Sequence, residues 1–182
     1  MHEAFGPHAT EIRDFGAHPE SSQSDTENSF FFCAVAIGDR MEIHMTRSEA
    51  ITRLKEEGLT LVLYNGQDCF CSRERGVAPL LSLLDARRDV SSLCAVDKVV
   101  GRAAAFLYIA LGIRTLHAVT VSEAAKCLLS EHSVALSYEV LVPRILNRAG
   151  NGYCPMESAV LSEEDTERAV LCIRETLASL RK

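Results

Sequence analysis

The sequence predicts an α/β fold in three layers, an α-β-α sandwich around a mixed sheet that opens with a β-hairpin. Three observations carry this. LTLVLYN, the Gly66-Gln67 turn and DCFCSRE read as a strand, a turn and a returning strand. Farther on, strand-like runs alternate with helical runs long enough to serve as crossovers, which implies parallel strands. Those helical runs are largely apolar on one side or throughout, as helices covering a sheet must be.

The elements follow in order. Residues 1–29 are rich in Gly, Pro, Ser, His and acids, and have too little apolar content to offset the entropy of ordering. They are expected to form a flexible acidic tail, in which His2, His8 and His18 are incidental. Residues 30–47 form an N-terminal extension. Within it FFFCAVAIGDRMEIHM reads as two strand-like segments about a Gly-Asp turn, an appended hairpin. The main domain is expected over residues 48–182. Thr46-Arg-Ser-Glu starts a short amphipathic helix with Ile51, Leu54 and Lys55, ended by Gly58.

After the hairpin, Gly76-Val-Ala-Pro79 opens a helix carrying Leu80, Leu81, Leu83 and Leu84. VDKVVGRAAAFLYIAL (residues 96–111) is expected to be one buried helix closed by Gly112. RTLHAVTV reads as a strand, and Ser122 caps the helix SEAAKCLLSEH. SVALSYE is strand-like again, LVPRILN a short helix. Ser162-Glu-Glu-Asp165 reads as the capping box of the last helix, which runs through Ile173 to Leu180.

Composition narrows the function. At 182 residues and 47% hydrophobic, the chain is long enough to bury a core. No apolar run reaches the roughly 18 residues that a membrane helix needs. The formal charge is −6, and six acids against Arg13 alone place −5 of it in the first 29 residues. The rest is nearly neutral and has no basic stripe with interleaved aromatics, so no dedicated nucleic-acid surface is expected. The acidic start argues against a mitochondrial transit peptide, and no signal-peptide h-region is expected ahead of a small-residue cleavage site. The seven cysteines (Cys33, Cys69, Cys71, Cys94, Cys127, Cys154 and Cys172) are odd in number and scattered through apolar patterns. They read as reduced core residues of a cytoplasmic protein.

Three stretches offer chemistry. In NGYCPME, Pro155 at the first helical position would put Cys154 at the N-cap and Glu157 three residues on. A helix N-terminus favours a thiolate, Glu157 could exchange a proton with it, and Gly152 allows close ligand approach. The same spacing also fits a plain helix cap. In VDKVVGRAAA, a helix start at Asp97 and Lys98 would place Arg102 on the face of Lys98, with Gly101 between, ready for a phosphate or carboxylate. A solvated charged helix end is the simpler reading. Ser122 and Glu123 stand where a strand hands over to a helix, the usual crevice for ligands in open sheets, and equally an ordinary cap. Tyr138-Glu139 and Asn147-Arg148 surround the LVPRIL turn. His117, mid-strand among apolar residues, reads as a core histidine.

GVAPLLSLLD, VDKVVGRAAAFLYIALGI, VSEAAKCLL and SYEVLVPRILNRAGNGYCPME together resemble an uncharacterised prokaryotic-type family, a domain of unknown function with a cytidine-deaminase-like fold. The resemblance spans roughly residues 48–180. It implies a deaminase-like domain, and a homodimer, but not the zinc chemistry. The H-x-E or C-x-E and P-C-x-x-C ligand motifs of zinc deaminases are missing, Asp97-Lys98 and Ser122-Glu123 standing in their places. No cofactor or metal is therefore expected. Three readings stand. The chain is a metal-independent enzyme, with Cys154, Glu157 and Lys98 catalytic and Asp97, Gly101, Arg102, Ser122, Glu123, Asn147, Arg148 and Gly152 holding a small anionic, nucleotide-like ligand. Or it is a non-catalytic nucleotide or metabolite-binding module. Or it is a diverged zinc deaminase recruiting His117, Cys94 or Cys127.

Overall fold

The structure, a computed structural model, describes Phe31–Phe32, residues 45–66 and residues 68–180. The acidic tail and most of the expected N-terminal hairpin lie outside the described residues. The elements are β1 (Phe31–Phe32), α1 (Arg47–Glu56), β2 (Leu61–Tyr64), β3 (Cys69–Ser72), α2 (Ala78–Asp85) and β4 (Cys94–Val100), then α3 (Arg102–Ala110), β5 (Thr115–Ser122), α4 (Glu123–Glu131), β6 (Ala135–Val142), α5 (Pro155–Ala159) and α6 (Thr166–Leu180).

The sheet is open and mixed, in the order β1-β3-β2-β4-β5-β6. β2 and β3 form the antiparallel hairpin, and Leu61, Val62, Leu63 and Tyr64 face Ser72, Cys71, Phe70 and Cys69. β4 joins β2 antiparallel, then β5 and β6 continue in parallel. Parallel neighbours need crossovers, and α3 and α4 supply them.

Helices cover both faces. Ala50 and Leu54 of α1 pack with Val62, Tyr64, Cys69, Cys71 and Val96. The other face takes Leu61, Leu63, Ala95, Leu116 and Ala118, which pack with α2 to α6. The inner layer there is α3, whose Phe106, Leu107 and Tyr108 are fully buried. Each such side chain contributes about 2 kcal/mol by leaving water.

The helix ends are chemically specified. Thr46 and Glu49 make a reciprocal capping box, with Thr46 N–H donating to Glu49 Oε2 at 2.7 Å. α3 closes on Gly112 at φ +72°, with Ile113 N–H donating to Tyr108 O and Gly112 N–H to Ile109 O. Only glycine takes that left-handed turn without strain.

Three boundaries differ from the sequence reading. VDKVV is not helical. Its β-branched residues lie in β4, hydrogen-bonded between β2 and β5, and the helix begins after the Gly101 N-cap. Pairing on both sides outweighs the alanine-rich continuation. LVPRILN is no helix either: β6 runs to Val142, and Pro143 lacks the N–H that a helix interior needs. The last helix is capped by Asp165, whose Oδ1 accepts from Arg168 N–H at 2.8 Å, rather than by Ser162.

Candidate functional site

Because β4, β5 and β6 run parallel, Val100, Ser122 and Val142 end at one edge of the sheet. Open α/β sheets place ligands outside such an edge. Here the segment from Pro143 through α5 lies there, and one carboxylate fastens it down. Glu157, on α5, is 1% exposed. Its Oε2 accepts from Ile145 N–H at 2.7 Å. Its Oε1 accepts from Arg102 N–H at 3.2 Å and from the Ser122 hydroxyl through a short bond. Three chain segments, far apart in sequence, thus meet on one side chain.

Each donor has a local reason to be there. Arg102 is the first residue of α3, where backbone N–H groups have no partner inside the helix. Ser122 is the N-cap of α4 and also accepts from Ala125 N–H at 3.2 Å. Gly101 permits the approach, because a Cβ there would stand 3.3 Å from Glu157 Oε1 and 3.1 Å from Ile145 Cγ1. The α3 start does receive a carboxylate, but it is the protein's own.

The structure brings Gly101, Arg102, Ser122 and Glu157 together. The Arg102 guanidinium turns away from the edge, donating to Val160 O at 3.1 Å and Glu163 O at 2.6 Å, with the Phe106 ring beneath it. Lys98 is exposed on β4, not at a helix start, so the helical spacing that paired it with Arg102 does not exist. Asp97 is also on β4. Its carboxyl accepts from Tyr108 Oη–H at 2.6 Å and from Val99 N–H at 2.9 Å. Burial pushes that carboxyl up to about 6. Glu123 is exposed in the first turn of α4.

Cys154 is the N-cap of α5, half-buried, and its thiol makes no cap bond. Its backbone N–H donates to Ile145 O at 2.8 Å, and its side chain packs against the main core. Asn147 folds the loop on itself through Asn151, with its N–H donating to Gly152 O at 2.8 Å. Arg148 is exposed. Among the described residues, no three His, Cys, Asp or Glu side chains stand together as metal ligands.

Two residues at this edge escape sequence reasoning. Arg144 lays its guanidinium 3.8 Å over the ring of Tyr153, and donates from Nη2 to Ser158 Oγ at 3.0 Å. Its Nε is buried without a hydrogen bond. Tyr153 is 55% exposed. The signal was an arginine between Pro143 and Ile145, in a run read as helical. On the α1 side, Glu139 pairs with Lys55 at 2.7 Å and faces His117 Nε2 at 3.6 Å. His117 Nδ1 meets Ser137 Oγ at 2.9 Å, and burial holds that histidine below its usual range.

The chain is similar, over residues 49–177, to the family described as "Domain of unknown function (DUF1893)". It is also similar to the crystal structure of a DUF1893 family protein (TM1506) from Thermotoga maritima. The two are 28% identical, the match covers 78% of this chain and 96% of that one, and the TM-score is 0.62. No curated protein matches the chain.

Proposed function

The chain belongs to the DUF1893 family of domains of unknown function, and on that footing we propose that it is a non-catalytic module binding a small anionic, nucleotide-like ligand in the cytoplasm. The scaffold in this reading is cytidine-deaminase-like, supported by the hairpin-led mixed sheet whose parallel strands are joined by α3 and α4.

The observation that carries the reading is the sealed Glu157 carboxylate. A residue 1% exposed with three hydrogen-bond donors on it is placed to position a loop rather than to shuttle protons to a substrate. What it positions is the Arg144–Tyr153 stack. A guanidinium 3.8 Å over an exposed phenol ring suits a ligand that has both a planar ring and a phosphate. Exposed Arg148, with Asn147 and Gly152 in the same loop, adds charge and room. Self-association into a homodimer belongs to this proposal: β6 is an edge strand with Tyr138, Val140 and Leu141 exposed, and such an edge suits a second copy.

The enzymatic alternative rests on the uncapped Cys154 thiol, with Glu157 and Lys98 as partners. Titration with nucleoside monophosphates, followed by thermal unfolding and calorimetry, tests the binding reading. A ligand at 100 times its dissociation constant adds about 2.7 kcal/mol of stability. Arg144→Ala and Tyr153→Ala should each weaken binding about tenfold or more. No shift with any monophosphate at millimolar concentration sinks the proposal. Alkylation of Cys154 much faster than a model thiol would favour the enzymatic alternative.

A further inference from the structure

On the opposite face of the sheet, under α1, the chain gathers sulfur. β3 alternates its side chains, so Cys69 and Cys71 point the same way, toward α1. Their Sγ atoms are 3.7 Å apart. Met45, one residue ahead of the α1 N-cap, sets its Sδ 3.8 Å from Cys69 Sγ. The guanidinium of Arg53, from the second turn of α1, comes to 3.7 Å of the same sulfur. Cys94 is not part of the group, because Tyr64 stands between it and Cys69 in the strand register.

Buried cysteines ordinarily serve as small apolar packing. Two features here exceed that role: a third sulfur at the same spacing, and a cation at the edge of an otherwise apolar cluster. With metal–sulfur bonds of about 2.3 Å, a trigonal site holds its sulfurs about 4 Å apart, whereas a linear pair needs about 4.6 Å. From Cys69, the other two sulfurs stand nearer the trigonal spacing than the linear one. Thiolate and thioether donors together select a soft monovalent ion over hard, oxygen-loving cations.

We propose that Cys69, Cys71 and Met45 form a three-sulfur site for copper(I). Binding replaces the two thiol protons with one Cu⁺ and involves no redox step, since the metal arrives already reduced. The bis-thiolate complex carries one negative charge, which Arg53 faces, with Glu57 ion-paired to Arg53 at 2.7 Å behind it. Access is from the Met45 side: Cys71 is fully enclosed, Cys69 is 8% exposed, and Met45 is partly exposed.

The test is anaerobic titration of the full reduced chain with copper(I) against the chromophoric chelator bicinchoninate, with X-ray absorption at the copper edge. The unsubstituted chain should hold one equivalent more than a Cys69→Ala/Cys71→Ala chain, in a shell of three sulfurs. Met45→Leu, which keeps the packing, should weaken that equivalent about tenfold. Equal stoichiometry and affinity in the unsubstituted and doubly substituted chains overturn the proposal, because the remaining thiols then account for all the copper. Should the double substitution fail to fold, Met45→Leu decides alone. Unchanged affinity in it overturns the three-sulfur site in every case.

Discussion

The hydroxyl of Ser122 donates to Glu157 across thirty-five residues of sequence, joining the C-terminal end of β5 to α5. The same carboxylate accepts the N–H groups of Arg102 and Ile145. Glu157→Ala would leave three donors facing a void where water has little room. Each unmet buried donor costs about 1–3 kcal/mol, so the loss should exceed about 3 kcal/mol. Glu157→Gln keeps one acceptor but turns an NH2 toward a backbone N–H, and should lose less than alanine yet more than nothing. Urea denaturation followed by circular dichroism ranks the three chains. Equal midpoints for all three would deny Glu157 its fastening role.

Asp97 and Tyr108 give a pH dependence with a definite sign. The folded carboxyl titrates at about 6, against about 3.9 for an unperturbed aspartate. Between those values the folded state binds the proton more tightly than the unfolded chain. The Asp97 contribution to stability is therefore highest below about pH 4, falls as pH rises toward about 6, then levels off. The full span is worth up to about 3 kcal/mol. Asp97→Asn should flatten this limb and be more stable than the unsubstituted chain at pH 7. Tyr108→Phe removes a bond that lowers the carboxyl, and should carry the falling limb to higher pH. Denaturant midpoints measured from pH 4 to 8 decide it. Profiles of the same shape for the unsubstituted chain and Asp97→Asn would contradict the reading.

The parts of the fold legible in the sequence were those with local causes. Thr46 and Glu49 cap α1 from three residues apart, and the Leu61–Ser72 hairpin needs only a turn and two short strand-forming runs. The sequence reads β4 as helix because Val96, Val99 and Val100 lead into an alanine-rich helix with only Gly101 between, and pairing with β2 and β5 decides their state. The same non-locality hid the site's logic. The sequence reads Arg102 and Ser122 as ligand contacts. Nothing near either in sequence announces that Glu157 would take the position at the α3 start. Arg144 was passed over because the run around it looked helical, whereas its partner Tyr153 lies across a loop closed by the Leu146–Tyr153 bridge.

Gly101 offers a steric test of that packed corner. Its backbone is extended at φ −94°, a conformation any residue adopts, so a substitution there adds no backbone strain. Gly101→Ala would instead press its methyl on Ile145 Cγ1 at 3.1 Å and on Glu157 Oε1 at 3.3 Å. Overpacking of this kind costs about 1–3 kcal/mol. In a chain carrying Glu157→Ala the same methyl has space, so the two effects should fall short of additive. A double-mutant cycle on the denaturant midpoint reads this coupling. Strict additivity would place the Gly101 penalty on Ile145 alone.

Arg102 separates a binding role from a structural one. Its guanidinium reaches Val160 O and Glu163 O, the carbonyls that follow α5, and stands 5.2 Å over the Phe106 ring. One planar fork donates in two directions, which a lysine ammonium cannot reproduce from the same stem. Arg102→Ala should therefore destabilise the fold by about 3 kcal/mol, counting two bonds from a charged donor at the low end of their range. Arg102→Lys should recover only part of that. Exposed Arg148, in the neighbouring loop, gives the contrast: Arg148→Ala should stay within about 0.5 kcal/mol in stability. If Arg102 instead served chiefly to hold an anion, the alanine chain would unfold at the unsubstituted midpoint without ligand and differ only when one is added. Denaturation with and without a nucleoside monophosphate distinguishes the two roles, because a clamp between α3 and the α5–α6 connection acts in both conditions and a ligand contact in only one.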